Sequence, residues 1–97
     1  MEIIESKEGN RTVLRIVGRL DTTTAPDLDS YIRSNQVADG LVLDLSELEY
    51  ISSAGLRVLL AANKLMVNRG GMSVRNVQDM VMEVLEATGF TDVLTME

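Results

Sequence analysis

Two serines, Ser52 and Ser53, stand between a short apolar run and a segment of helical spacing, and they are the best-placed residues for chemistry. A helix opens with four backbone N–H groups that lack intrahelical partners and with the positive end of its dipole. A hydroxyl there caps the helix, and a phosphate is equally well received. Ser53 therefore reads either as a plain cap or as a phosphoryl acceptor, and the residues alone leave both open. A second polar cluster, Asp21-Thr22-Thr23-Thr24, follows another strand-like run. Asp21 in such a place is ordinarily a turn or cap residue rather than a working carboxylate. Arg57, one turn beyond Ser53, belongs to a solvated face or meets a partner or a phosphate on the neighbouring loop.

Much other chemistry is excluded. The 97 residues contain no Cys and no His, which removes disulfides, thiol catalysis, the usual zinc ligands, phosphohistidine chemistry and a Ser-His-Asp hydrolase. No general base, partnered nucleophile or Gly-rich phosphate loop appears, so neither an enzyme nor a cofactor is expected, and no metal site. A net charge of −6 opposes association with nucleic acid or anionic lipid. The N-terminus, MEIIESKEGN, lacks the apolar run of roughly 7–15 residues of a signal peptide, and no stretch is long enough to span a membrane. The expectation is a cytoplasmic monomer forming one domain over residues 1–97.

The elements that must position the serines follow from periodicity. Residues 2–6 and 11–19 read as strands joined through Lys7-Glu8-Gly9-Asn10, an antiparallel hairpin. A first helix, with Thr23 or Thr24 as its cap and Pro26 in its first turn, carries Leu28, Tyr31 and Ile32 on one side and ends near Asn35. Leu41–Leu45 is the next strand, followed by a polar turn. The second helix runs from about Ser53 to Asn68, with Leu56, Leu59, Leu60, Asn63 and Val67 inward, and Gly70-Gly71 stops it. Met72–Arg75 is a strand. Asn76 caps a third helix with the stripe Val77, Met80, Val81, Val84 and Leu85, Gly89 ends it, and Thr91–Thr95 is the last strand.

This ββαβαβαβ order predicts a mixed, mainly parallel α/β fold with a five-stranded sheet in sequential order. One parity of the strands is apolar (Leu14, Ile16, Leu41, Leu43, Leu45, Met72, Val74). The other carries Arg15, Val13, Val42, Asp44, Ser73 and Arg75, so all helices should lie on one face, a β-α superhelix. Loops at the carboxyl ends of parallel strands share one edge. That edge gathers Asp21-Thr22-Thr23, the segment from Tyr50 to Gly55, and Asn76. Ala54 and Gly55, being small, are expected to keep the helix mouth open. Methionines at helical spacing are ordinarily core filling; Met82, off the inner stripe, is the expected surface contact.

At these residues the chain resembles the STAS domains of bacterial anti-sigma factor antagonists. The resemblance spans nearly the whole chain: the opening hairpin, Gly18-Arg19-Leu20-Asp21 with Thr24-Ala25, Asp44-Leu45-Ser46, Tyr50-Ile51-Ser52-Ser53-Ala54-Gly55-Leu56, Arg69-Gly70-Gly71 and Thr88-Gly89-Phe90. It implies a protein that binds an anti-sigma factor serine kinase when unphosphorylated, is switched off by phosphorylation and is restored by a serine phosphatase. The phosphoserine falls on Ser53, with Ser52 the alternative, and Asp21 matches the aspartate beside it. The partner surface it implies comprises Asp21, Thr22, Thr23, Thr24, Ser52, Ser53, Ala54, Gly55 and Arg57. The chain departs from the pattern at Ser52, where the family has an acid, and at Ala54, where it has Ser or Thr. The missing acid favours a second reading, an adaptor STAS domain that is never phosphorylated and docks on a transporter or signalling assembly.

Overall fold

The computed structural model describes residues 1–34, 37 and 39–97. Strands β1 (Glu2–Glu8) and β2 (Arg11–Leu20) form the antiparallel hairpin, longer than the alternation suggests because the reversal is confined to Gly9-Asn10. Then come α1 (Ala25–Ser34), β3 (Leu41–Asp44), β4 (Leu48–Ile51), α2 (Ser53–Met66), β5 (Met72–Arg75), α3 (Asp79–Ala87) and β6 (Thr95–Met96). The predicted end of the first helix at Asn35 lies outside the described residues. The main sheet runs β1-β2-β3-β5-β6, sequential and parallel from β2 onward, as expected.

The sheet has six strands rather than five. Residues 48–51, expected within a polar turn, form β4, which pairs in parallel with the far end of β2 through Gly18↔Leu48, Arg19↔Tyr50 and Leu20↔Ile51. The ten residues of β2 outrun the four of β3, and β4 takes up the backbone groups that β3 leaves unpaired. The register slips at Gly18, whose φ of 105° lies where side-chain-bearing residues are rarely found. The end of the chain also differs. After the left-handed Gly89, Phe90–Asp92 forms a short 3₁₀ turn, and pairing with β5 waits until Thr95.

One apolar cluster takes Leu14, Ile16, Leu41, Leu43 and Val74 from the sheet, Leu28 and Ile32 from α1, Leu56, Leu59 and Met66 from α2, and Val81 and Leu85 from α3. All three helices thus cover the same face. Inward positions of α2 shift by a residue from the expected set: Ala62 and Met66 are buried, while Val67 falls beyond the helix and is exposed. In α3, Met80 is 72% exposed and Met82 half-buried, the reverse of expectation; the helix starts two residues later than an Asn76 cap would give.

Val13, Val42 and Ser73 line the helix-free face yet are buried, Val42 completely. Long charged side chains from neighbouring strands roof them. Arg75 takes Glu8 in a fork, Nη1 to Oε2 at 2.7 Å and Nη2 to Oε1 at 2.9 Å, and also holds Glu97. Arg11 reaches Glu97 Oε2 at 3.1 Å and pairs with Glu8, and the Ser73 hydroxyl donates to Glu97. The Arg75 and Arg11 hydrogen bonds hold the Glu8 carboxyl down at about 2. The Ser73 hydroxyl, then Arg75 and Arg11, do the same for Glu97. A carboxylate depressed by folding stabilises the native state above its ordinary value of 4.5, and that contribution disappears as pH falls toward 2. Urea midpoints measured against pH should therefore decline across this window, and Arg75→Gln should flatten the decline.

Candidate functional site

The site begins where β2 and β4 end side by side. The Ser52 amide donates to the Leu20 carbonyl at 2.9 Å, which fixes the start of α2 against the strand that delivers Asp21. Ser52 keeps extended backbone (φ −97°, ψ 175°), its carbonyl accepts from Leu56 N at 2.9 Å, and its Oγ accepts from Gly55 N at 3.4 Å. Those are the marks of an N-cap, so Ser52 caps α2 and Ser53 is its first helical residue. The Ser53 side chain is exposed and has no hydrogen-bond partner among the described residues. The cap expected at Ser53 is thus provided by Ser52.

Serine caps a helix about as well as aspartate. An aspartate at position 52 would therefore add a negative charge without improving the cap.

Gly55 does not hold the mouth open. It is buried, and a Cβ there would lie 2.8 Å from Ile51 Cγ1 and 2.9 Å from both Leu20 Cγ and the Leu20 carbonyl oxygen. Its expected place in the partner surface is corrected accordingly: it offers nothing outward and instead lets α2 seat on the strand ends. Ala54, half-buried, does reach the surface.

Asp21 closes the turn that leads into α1. Its Oδ1 accepts from the amides of Thr23 (3.0 Å) and Thr24 (3.1 Å), and its own amide donates to Thr24 Oγ1 at 2.9 Å. This reciprocal pair satisfies the donors of the turn that precedes the helix. The Thr24 amide first, then the Thr23 amide, the Thr24 hydroxyl and Arg19, favour the charged carboxylate and lower its pKa. Arg19 Nε lies 3.9 Å from Asp21 Oδ2, and its guanidinium sits 4.2 Å from the centre of the Tyr50 ring. Thr22 and Thr23 are exposed beside it.

Asn76 adopts a left-handed conformation (φ 57°) and donates from Nδ2 to Asp44 Oδ2 at 3.4 Å; it does not cap α3, which Gln78 precedes. Gln78 Nε2 donates to the Ser46 carbonyl at 2.6 Å and ties this loop to the β3–β4 connection. The expected edge of three loops is present.

Beside Ser53 a groove of about 470 Å³ runs between α1 and α2, lined by Thr22, Ala25, Pro26, Ala54, Arg57 and Val58 among others. It brings together three of the residues expected from the sequence, and its apolar floor of Ala25, Pro26 and Val58 was not foreseen. The signal for that floor is the smallness of Ala25, Ala54 and Ala61, which leaves a gap between two helices that otherwise pack directly. Among the described residues there is no cluster of three metal-ligating side chains, and no helix is long and apolar enough to cross a membrane.

Replacement of the cap should distinguish the serines by stability alone. Ser52→Ala should cost about 1 kcal/mol in urea unfolding, Ser52→Asp only a few tenths, and Ser53→Ala next to nothing.

Comparison with known proteins places the fold among relatives. The model of the STAS domain matches residues 3–97. The anti-sigma-B factor antagonist of Listeria monocytogenes is 29% identical over 97 residues, covering 97% of this chain and 85% of that protein. The crystal structure of an anti-sigma factor antagonist from Mycobacterium paratuberculosis superposes with a TM-score of 0.88 at 24% identity, covering 98% of this chain and 83% of that one. The Bacillus cell-fate determinant SpoIIAA in its phosphorylated form gives 0.73 at 14% identity, with 99% and 91% covered.

Proposed function

The chain belongs to the STAS domain family, and from that premise we propose that it acts as an anti-sigma factor antagonist switched by phosphorylation of Ser53. The observation that carries the reading is the division of labour at the start of α2. Ser52 holds the helix, and the exposed, unbonded Ser53 hydroxyl is left available beside a partly apolar groove. A kinase can reach that hydroxyl without unfolding the cap.

Unmodified, the protein docks an anti-sigma factor of the serine-kinase type on the surface formed by Thr22, Thr23, Ser53, Ala54 and Arg57. Sequestration of that factor releases its sigma factor. The chain is the kinase's substrate and contributes no catalytic group. A phosphate on Ser53 brings a charge of about −1.5 to −2 to the centre of the surface. The helix dipole and the free amides of the first turn accommodate it, so the fold survives while the docking surface changes. A tenfold loss of affinity requires only about 1.4 kcal/mol. A serine phosphatase resets the surface. The Listeria relative is named as an antagonist of the anti-sigma-B factor, and the Bacillus neighbour has been solved phosphorylated; both support this assignment.

The test is binding to an anti-sigma factor of the serine-kinase type. Ser53→Ala should bind as wild type does and resist modification, whereas Ser53→Asp should bind at least tenfold more weakly in calorimetry. Equal affinity of Ser53→Asp and wild type refutes the switch. A phosphate adduct of about 80 Da in protein from its native cell should disappear in Ser53→Ala but persist in Ser52→Ala.

A further inference from the structure

Arg57 stands four residues after Ser53 on the same face of α2, and it is exposed. Among the described residues it has no ion-pair partner. The acids around it are already engaged. Asp29, across the groove on α1, is taken by Arg33 Nε at 3.1 Å from both carboxylate oxygens. Asp21 is committed to the Thr23 and Thr24 amides, with Arg19 nearby. The first turn of α2 has no acidic residue. A guanidinium on the wall of a partly apolar groove is thus left without a counter-charge among the described residues, one helical turn from the Ser53 hydroxyl.

We propose that Arg57 reads out the modification: unmodified, it offers its guanidinium to a carboxylate of the docked partner, and once Ser53 is phosphorylated it folds back to pair with the phosphate. The inference rests on the assignment of Ser53 as the acceptor. Side chains at i and i+4 are neighbours on a helix, and the favourable order places the anion N-terminal to the cation. Phosphate and guanidinium also match as a two-pronged pair. The modification then acts twice: it places a dianion at the rim, and it withdraws the cation that the partner needs. The phosphate is held on its own helix rather than projecting freely, so the off state is a defined surface instead of a merely repulsive one.

The experiment uses the full chain with phosphoserine installed at position 53 by genetic code expansion, which makes the pair testable without a kinase. Titration followed by phosphorus NMR should give a midpoint for the phosphate about 0.3–0.5 pH units lower in wild type than in Arg57→Gln, because the guanidinium favours the dianion. Arg57→Lys should fall between them. Unmodified Arg57→Gln should bind the anti-sigma factor kinase several-fold more weakly than unmodified wild type. Identical midpoints in wild type and Arg57→Gln overturn the pair and leave Ser53 as acceptor untouched. A normal midpoint shift without any effect of phosphoserine on binding overturns the switch itself.

Discussion

The backbone of α2 approaches the end of β2 so closely at Gly55 that no side chain fits between them. Two of the atoms that a Cβ would meet belong to side chains, but the third is the Leu20 carbonyl oxygen, which cannot rotate away. A hydrogen bond in the sheet–helix corner depends on that contact: the same carbonyl accepts from the Ser52 amide. Ser52 is thereby held in extended backbone, its side chain turns toward Gly55, and Ser53 is left facing outward. The position of one exposed hydroxyl is therefore set by buried packing rather than by the loop that carries it.

β2 serves as the common reference for the site. Its first half aligns with β3, its second half with β4, and its other edge with β1. Asp21 and Ser52 emerge from adjacent strand ends; Ser52 caps α2, and Asp21 closes the turn through Thr23 and Thr24 that leads into α1. The two helix entries are thus referenced to one strand, and so is the groove between α1 and α2.

Most of this architecture was legible in the sequence because parity and helical spacing are strong signals. Leu14, Leu43 and Val74 sit on one side and Arg15, Asp44 and Arg75 on the other, as alternation requires. β4 was not legible. Leu48-Glu49-Tyr50-Ile51 is buried only at its two ends, a pattern with no period of two, and its pairing is imposed by the surplus length of β2. The cap was misplaced by one residue because either serine satisfies the preference for a hydroxyl at a helix entry; only backbone geometry separates them. Gly55 was misjudged for a related reason. A small residue beside a site suggests access, whereas its use here is close approach. Asn76 looked like a cap, but its left-handed φ turns the chain before α3 begins.

The two ends of the domain are secured by different forces. Around Ser53 the fastening is steric and apolar, with Gly55 against Leu20 and Ile51. At β6 it is a clasp of half-exposed charges, Arg11 and Arg75 on Glu97, laid across the helix-free face. Dissolved ions weaken the second kind of fastening and scarcely touch the first. Ionic strength consequently acts on this domain unevenly: it loosens the last strand and its roof over Val42 while the corner that presents Ser53 keeps its shape.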